Sequence, residues 1–373
     1  MLISRNPGLS PSLLLRVLAS RRSRLPDHLA SRQVILLGYG RTALYLGLKA
    51  LRLPKESNAL LPSYITSSAL SPFLRLGIVP QFYDLDPRTL AIDWPALEHR
   101  LSASTRVLMI VHYFGFPAEV EKARRFCKEH GLALIEDAAH SFLSTIDGRY
   151  LGTFGDIGIY SMRKMVPIPN GGALVLGQGK GDRSLIDLDR LSAEPDRRRL
   201  IALLGRYVES HAGFPFPRLP GLSPAVNHSV VTKPDSRKQL ADYGFSPWSM
   251  RILCRIDLAD VARQRRENYQ FLTELLPFSR AVSLLWSRLP AGVCPQALPL
   301  LTAKRDVMAK ALRDRGVEAH GWPSMPPEVD QHEFRGAAEL ADKVLLLPIH
   351  QELGRGAVTY IAQTVSAVLE YSA

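Results

Sequence analysis

The sequence predicts an α/β protein with a large domain, built on a mostly parallel sheet flanked by helices, and a smaller C-terminal α/β domain. Short apolar runs alternate with helical patterns between residues 58 and 150, which is typical of βαβ units. The 373 residues suffice for two such domains, and a hydrophobic fraction of 46% predicts a sizeable core.

The N-terminal stretch is basic. Its first 26 residues contain five arginines and no acidic residue, and PSLLLRVLAS within it has an amphipathic pattern. This pattern favours a helix packed on the domain; a transit peptide or a helix on a membrane surface is the alternative. We expect residues 1–35 to pack on the core, residues 36–246 to form the large domain and residues 247–373 the small one.

The clearest βαβ unit covers residues 106–140. RVLMIVHYFG predicts a buried strand, AEVEKARRFCKEHG a helix with Gly131 as its C-cap, and LALIEDAAH the next strand. Upstream, NALLPSYI and VPQFYDLD predict strands on either side of the helix SSALSPFLRLG, and WPALEHRLS predicts another helix. Downstream, DIGIYS (156–161) and GALVLG (172–177) predict two more strands.

The remaining segments predict the second domain. Residues 178–245, rich in Arg and Pro, predict a helix plus irregular loops. After Pro247, the pattern of residues 251–276 predicts one long helix. VSLLW and ALPLL predict strands, and helical patterns over 303–316 and 356–371 complete the smaller domain.

Composition excludes several classes of protein. A formal charge of +12 suits nucleic acid, an anionic membrane surface or a phosphorylated substrate, but the basic residues are scattered and show no nucleic-acid motif. The longest apolar runs are too short for a transmembrane helix. The three cysteines are widely spaced, so we expect neither a disulfide framework nor a metal site, and we expect a cytoplasmic protein.

Residues that could carry chemistry lie where strands are predicted to end. Ligands of open parallel sheets bind beyond the carboxyl ends of the strands, so these residues are expected to share a site. They are His112 and Tyr113, Glu136 and Asp137, and Ser161 with Lys164.

A phosphate seat is predicted at GYGRTALYLGLKAL (38–51), where glycines precede a helix whose N-terminus favours an anion. Pyridoxal 5'-phosphate (PLP) requires such a seat, a lysine for its aldehyde and a carboxylate for its pyridine nitrogen. The motifs of a P-loop, of a dinucleotide-binding Rossmann site and of a GxSxG hydrolase are absent.

In order along the chain, these motifs resemble the DegT/DnrJ/EryC1/StrS aminotransferases, PLP enzymes of the aspartate-aminotransferase fold (fold type I). The resemblance runs from about residue 36 to the end, through GYGRTALYLGLKAL, LPSYI, VHYFGFP, IEDAAHS and LLLPIH. The block from IEDAAHS to NGGALVL is the most specific, because Lys164 follows Asp137 by 27 residues, as in the family.

The resemblance implies a role for each candidate residue. Lys164 would hold the cofactor and act as the acid–base catalyst, and Asp137 would bind the pyridine nitrogen. Side chains alternate along a strand, so Glu136 is expected to point away. His140 stands where the family has glutamine near the cofactor ring; a structural histidine is the alternative.

The phosphate would be held by Gly40, Arg41, Thr42 and Ser161. Tyr64 lies in the stretch that supplies an aromatic ring to the cofactor, with Thr66 as the other candidate there. The turn SMRK is shorter than the family's, and Arg163 is a candidate to replace the missing contact. The loop that lends asparagine to a neighbouring subunit appears as GFSPWSMR, without asparagine, where Trp248 or Arg251 is a candidate substitute.

The resemblance implies a homodimeric aminotransferase that moves an amino group from a donor such as glutamate to a keto group, mostly on nucleotide-linked sugars for polysaccharide or glycoconjugate biosynthesis. Lysine at position 164 argues against the dehydratases of the family, which carry histidine there. A catalytically silent binding or scaffold protein is the alternative function.

Overall fold

A computed structural model of the chain describes residues 2–19, 24–177, 181–188, 191, 196–212, 244–278 and 282–370. Most of the segment 178–245, for which the sequence predicts a helix plus irregular loops, lies outside the described residues. Among the described residues, no helix combines the length and the apolar composition needed to cross a membrane.

The N-terminal two thirds of the chain carry nine described strands. They are β1 (Val34–Leu37), β2 (Asn58–Pro62), β3 (Val79–Tyr83), β4 (Thr105–Val111), β5 (Ala133–Asp137), β6 (Thr145–Ile146), β7 (Arg149–Tyr150), β8 (Ile157–Tyr160) and β9 (Gly172–Leu176). All but the hairpin β6–β7 form one sheet in the order β1-β9-β8-β5-β4-β2-β3. Neighbouring strands from β3 through β2, β4 and β5 to β8 pair in parallel, and β9 pairs antiparallel with both β8 and β1. The predicted mostly parallel sheet is confirmed.

Helices connect these strands and cover the sheet. They are α1 (Pro11–Ala19), α2 (Gly40–Ala50), α3 (Ser67–Arg75), α4 (Trp94–Glu98), α5 (Val120–His130) and α6 (Arg197–Ala212). In α5 the buried residues are Val120, Ala123, Phe126 and Cys127, and Gly131 ends the helix in the left-handed conformation. The predicted βαβ unit is therefore present, with β4 and β5 parallel.

The C-terminal part contains a second, antiparallel sheet. Its elements are α7 (Pro247–Leu253), α8 (Leu258–Leu275), β10 (Ser283–Leu284), β11 (Leu298–Leu301), α9 (Arg305–Asp314), β12 (His320–Gly321), α10 (Arg335–Lys343), β13 (Val344–Leu347) and α11 (Arg355–Glu370). The sheet order is β10-β11-β13-β12. The prediction of one helix over 251–276 was wrong: the Asp257 side chain caps a new helix by accepting from the N–H groups of Ala259 and Asp260.

The described N-terminal residues are packed on the protein. Residues 2–9, which we call the N-terminal strap, begin beside the second sheet, where Ile3 forms a bridge with Val317. In α1, Leu13 and Val17 are buried, while Leu15 and Leu18 are 66% and 60% exposed. The division of the chain at residues 35 and 246 stays a prediction.

A buried arginine joins α8 to the rest of the molecule. Arg265 is 1% exposed and donates from Nε to Gln351 Oε1 at 3.0 Å, from one Nη to the Gln296 carbonyl at 3.0 Å and from the other to the Met165 carbonyl at 3.1 Å. Burial lowers the pKa of Arg265 to about 10. Because the guanidinium is hydrogen-bonded on all sides, its burial is tolerated and its partners are held in place.

A half-buried carboxyl fastens the strap. Glu352 Oε2 accepts from the Gly8 N–H at 2.8 Å. Burial raises the pKa of Glu352 from 4.5 to about 7, although the Gly8 N–H, Arg206 and Arg265 oppose the rise. The folded state therefore binds the proton more tightly than the unfolded chain does, and this stabilisation is complete below pH 4.5 and lost as the pH rises through 7.

We expect Glu352→Gln to remove this pH dependence, because glutamine keeps an acceptor for Gly8 without a charge. The free energy of unfolding of the variant, relative to wild type, should rise by roughly 1 to 3 kcal/mol between pH 5 and pH 8. Urea unfolding at both pH values measures the difference, and an equal pH dependence in both proteins would contradict the assignment.

Candidate active site

A cleft opens at the carboxyl ends of β4, β5 and β8 and at the N-terminus of α2. It brings together seven of the eight predicted site residues; Thr42 is buried at the start of α2 and does not line it. The seven are Gly40, Arg41, Tyr64, Asp137, His140, Ser161 and Lys164.

Glu136 at the end of β5 is structural. It is fully buried, and its carboxylate accepts from His112 Nε2 at 3.0 Å and from the N–H groups of Gly152, Phe154 and Gly155. Burial acts to raise the pKa of Glu136, but these hydrogen bonds outweigh it and lower the pKa. The expectation that this side chain points away from the cleft is consistent with these contacts.

The side chain of Asp137 lies on the face of β5 opposite to that of Glu136, and it lines the cleft. It is half-buried, and Oδ1 accepts from the Ala139 N–H at 2.9 Å. Burial raises the pKa of Asp137, against the effects of Lys164, the Ala139 N–H and His112. A cation bound in the cleft beside this carboxylate would therefore be stabilised, which suits a protonated pyridine nitrogen.

Lys164 follows β8 in a short 3-10 turn, Met162–Lys164, and is half-buried in the cleft wall. Burial lowers the pKa of Lys164 from 10.5 to about 8; Asp137 opposes this, while Arg163 and Arg5 add to it. A sizeable fraction of the side chain is therefore the neutral amine near physiological pH, the form that attacks an aldehyde.

The segment that carries the lysine, which we call the lysine turn (residues 161–171), is anchored by Asn170. Ser249 Oγ donates to the Asn170 carbonyl at 2.7 Å, and the Ser246 N–H donates to Asn170 Oδ1 at 3.0 Å. The stretch GFSPWSMR thus contacts the lysine turn of its own chain. Glycine is needed at position 172 for close approach, because a Cβ there would lie 2.2 Å from the carbonyl carbon of Tyr39.

His140 is held in one tautomer. The Phe114 N–H, presented by a left-handed backbone (φ 55°), donates to His140 Nδ1 at 3.3 Å. Burial lowers the pKa of His140 well below its usual value, and Lys164 and His320 add to this, so the imidazole is neutral. Nε2 therefore carries the hydrogen and is the donor atom of the ring.

Aromatic residues line one wall of the cleft. Tyr64 is fully buried, its hydroxyl donates to the Trp322 carbonyl, and its ring meets Trp322 edge-on at 5.0 Å. Trp322, which sequence reasoning missed, lines the cleft and also meets His140 edge-on at 5.0 Å. It reaches the cleft from the segment after β12, a long-range placement that short sequence patterns do not reveal.

Positive charge gathers on the α2 side of the cleft. The guanidinium groups of Arg41, Arg199 and Arg163 lie 4.7, 5.3 and 6.0 Å from the centre of the Tyr39 ring. At the first turn of α2, Arg41 Nε and Thr42 Oγ1 are buried with no hydrogen-bond partner among the described residues. Unfilled donors at a helix N-terminus fit the phosphate of PLP.

The fold and the cleft together define a PLP-dependent transferase of fold type I. Two solved structures match with little sequence identity: the aminotransferase TlmJ from Streptoalloteichus hindustanus (24% identity, TM-score 0.71, all of both chains) and a putative sugar aminotransferase of Streptococcus pneumoniae in its PLP form (16%, TM-score 0.72, 100% of this chain and 99% of that one). These likenesses support the fold.

The chain belongs to the DegT/DnrJ/EryC1/StrS aminotransferase family, whose model matches residues 22–213, more than half of the chain. A relative from Saccharopolyspora spinosa, a dTDP-4-dehydro-2,3,6-trideoxy-D-glucose 4-aminotransferase, is 26% identical over 367 residues, covering 91% of this chain and 85% of the relative. The protein is an aminotransferase, and its cofactor is PLP. The comparisons give no support to the scaffold alternative.

Variants of Glu136 and Asp137 provide a matched test that distinguishes the structural role of the first residue from the functional role of the second. Glu136→Gln would replace an accepting oxygen by a donor that faces other donors, so we expect the free energy of unfolding of the apoprotein to fall by about 3 kcal/mol. Asp137→Asn removes a carboxylate whose ionisation burial disfavours, so we expect stability to be unchanged or slightly higher. Urea unfolding of both variants makes the comparison; equal losses would refute the distinction.

Proposed function

We propose that this aminotransferase takes an amino group from an amino acid such as L-glutamate and gives it to a keto group on a nucleotide-linked sugar, with the eight predicted residues serving the cofactor. The observation that carries the proposal is the convergence of Asp137 and Lys164 on one cleft beside the N-terminus of α2. When bound, PLP supplies an electron sink that stabilises a carbanion at the donor's Cα.

Lys164 Nζ would hold the cofactor's aldehyde carbon and would act as the base at the donor's Cα. Both roles need the neutral amine, which the lowered pKa of about 8 makes available. The half-buried position leaves Nζ accessible from the cleft while the turn on which it lies is held by Arg265 and Asn170. The amine is thus both reactive and positioned.

Asp137 would hold the protonated pyridine nitrogen, because a carboxylate at this depth is stabilised by an opposite charge. His140 would donate from Nε2 to an oxygen on the cofactor ring, since its Nδ1 is already occupied by the Phe114 N–H. Gly40, Arg41, Thr42 and Ser161 would surround the phosphate; Thr42 would take part from beneath the cleft surface. Tyr64 would shape the wall beside the ring.

The keto substrate is proposed from the relative's activity on a dTDP-linked keto sugar. The cleft supports an anionic substrate because Arg163 lines it with an exposed side chain and forms no ion pair among the described residues. We further infer a homodimer in the cytoplasm. The large apolar side chains exposed on α1, Leu15 and Leu18, would then be available for contact between copies.

The visible absorption spectrum of the purified protein tests the proposal. We expect a cofactor band that bleaches on addition of L-glutamate in wild type and in Lys128→Ala, a control at an exposed lysine of α5. In Lys164→Ala the band of lysine-bound cofactor should be missing and turnover abolished. Wild-type protein that stays colourless after incubation with PLP would refute the assignment of this cleft.

The pH dependence of cofactor capture tests the electrostatics of Lys164. Capture needs the neutral amine, so its rate should rise with pH through about 8 in wild type. Asp137→Asn removes a charge that raises the pKa of Lys164 and should move the profile to lower pH; Arg163→Gln removes a charge that lowers it and should move the profile to higher pH. Stopped-flow absorption of the apoproteins measures both shifts. If the pH profiles of the two variants moved in the same direction, this account would be contradicted.

A further inference from the structure

Trp322 brings a residue of the C-terminal part of the chain into the cleft. It directly follows β12, which pairs with β13 of the second sheet. The Trp322 carbonyl accepts from the hydroxyl of Tyr64, which lies just after β2 of the large sheet. This link is made by the backbone of Trp322, so it holds the segment in place without using the indole.

Four rings fix the orientation of the indole. Its ring centre lies 5.0 Å from those of Tyr64 and His140, 5.4 Å from that of Phe114 and 5.7 Å from that of Tyr113. The interplanar angles lie between 69° and 83°, which is the edge-to-face arrangement that aromatic pairs favour. The indole is therefore braced before any ligand enters the cleft.

The four bracing rings are buried, but the indole is not. They are between 0% and 4% exposed, whereas Trp322 is half-buried and lines the cleft. Among the described residues, no ring lies parallel to the Trp322 indole. Trp286 differs in this respect, because Phe116 stacks on it at 4.2 Å and 14°. A flat ligand can therefore stack on Trp322 without displacing another ring.

Most hydrogen-bonding groups of this aromatic wall are already engaged. The Tyr64 hydroxyl donates to the Trp322 carbonyl, and the Tyr113 hydroxyl donates to the Tyr64 carbonyl at 2.7 Å. His140 Nδ1 accepts from the Phe114 N–H, and its Nε2 is assigned to the cofactor. The indole remains for a second ligand, with its flat apolar surface and an N–H that makes no hydrogen bond among the described residues.

Two hydroxyl groups line the cleft close to this wall. Thr66 and Ser68 follow Tyr64 at the start of α3, and their side-chain oxygens are 2.9 Å apart. One hydroxyl donates to the other, so one hydrogen and several lone pairs are left for a ligand. An apolar surface beside a few polar groups is the usual composition of a small-molecule site.

The two substrates of the proposed reaction offer different surfaces to such a wall. A sugar ring has C–H groups on its faces and hydroxyls at its edges, so it can cover an indole while its hydroxyls bond elsewhere. L-glutamate is a flexible chain without a ring and has no comparable surface. The Trp322 ring centre is 5.0 Å from that of His140, which is proposed to meet the cofactor, so a ring on the indole lies beside the cofactor. The keto carbon of the acceptor must reach that place.

We propose that Trp322 selects the acceptor: its indole stacks on the sugar ring that carries the keto group, while Thr66 and Ser68 bond to hydroxyls at the edge of that ring. The proposal rests on the proposed function, because it assigns residues to the acceptor half of that reaction. The sugar, not the base, contacts the indole, since only the sugar carries the reacting carbon. The donor half of the reaction is then independent of Trp322.

Calorimetry of the PLP-loaded proteins tests the contact without turnover. The probes are dTDP-glucose, UDP-glucose and GDP-mannose, each compared with its free nucleoside diphosphate, so that the difference in affinity isolates the sugar. We expect at least one sugar nucleotide to bind wild type more tightly than its nucleotide does. Trp322→Leu, which keeps an apolar side chain without a flat ring, should reduce that advantage roughly 3- to 10-fold.

Two further variants complete the comparison. Trp322→Phe should keep part of the advantage, because it retains a smaller flat ring. Trp94→Phe, a control on α4 whose ring packs against Phe126, should behave as wild type. An equal loss of affinity for the free nucleotide in Trp322→Leu would place the base on the indole and overturn the proposal. An unchanged advantage in Trp322→Leu, or no advantage of any probe in wild type, would overturn it as well.

A measurement on wild type and Trp322→Phe covers the case in which Trp322→Leu does not fold. In the proton NMR spectrum, the C–H protons on one face of the bound sugar should shift upfield in wild type, because they lie in the ring current of the indole. The shift should be smaller in Trp322→Phe. Equal shifts in the two proteins, or none in wild type, would refute the stacking.

The donor half-reaction separates this proposal from the proposed function. L-glutamate should bleach the cofactor band equally in wild type and in Trp322→Leu. A wild-type band that no amino donor bleaches would sink the proposed function alone, because the sugar contact is measured without turnover. Bleaching in wild type but not in Trp322→Leu would assign the indole to the cofactor or donor and overturn its assignment to the acceptor.

Discussion

The need to satisfy a fully buried carboxylate organises the catalytic end of the large sheet. Glu136 draws together His112 from the end of β4 and three backbone N–H groups from the segment before β8. Removing any of these partners would leave charge or donors buried without compensation. Because successive side chains of a strand alternate, fixing Glu136 inward also fixes Asp137 toward the cleft. One structural interaction thus places the residue proposed to meet the cofactor.

A second buried charge, that of Arg265, fixes the position of the turn that carries Lys164. Arg265 has no carboxylate partner among its described contacts; it is satisfied by the oxygens of Gln351, Gln296 and Met165. Those acceptors belong to segments far apart in the chain, so the guanidinium ties α8, the C-terminal segment and the lysine turn to one point. Asn170 closes the other end of that turn. Lys164 can therefore be accessible without being loosely held.

Local sequence signals predicted the parts of the structure that depend on neighbouring residues. Alternation of buried strands and amphipathic helices gave the parallel sheet, and the strand ends gave Asp137, Ser161 and Lys164, because carboxyl ends of parallel strands share one edge. The break between α7 and α8 was missed, although Asp257 followed by Leu258 is a recognisable helix start. There the helical periodicity on both sides hid the cap.

Contacts between segments that are distant in the chain could not be predicted from local sequence patterns. Trp322 enters the cleft wall from beyond β12, and Ile3 joins the N-terminus to the second sheet by a bridge with Val317. Neither placement is marked by a motif, because each depends on packing between residues far apart in the sequence. The requirement for glycine at 172 arises from the approach of β9 to the backbone of Tyr39. A sequence pattern shows that a glycine is present, but not which neighbour excludes a side chain.

The charges around Lys164 explain why the same cleft suits both an amine nucleophile and anionic ligands. Burial is the main cause of the lowered pKa of Lys164, and Arg163 and Arg5 add to it, while Asp137 is the opposing carboxylate. Burial and the nearby positive charge therefore both favour the neutral amine before anything binds. Each anion that enters offsets part of that positive charge, so the charges that activate the lysine are also those that attract a phosphate and a carboxylate. On this view the basic residues scattered through the sequence are functional where they converge around Tyr39, and their distribution in the fold matters more than the net charge of +12.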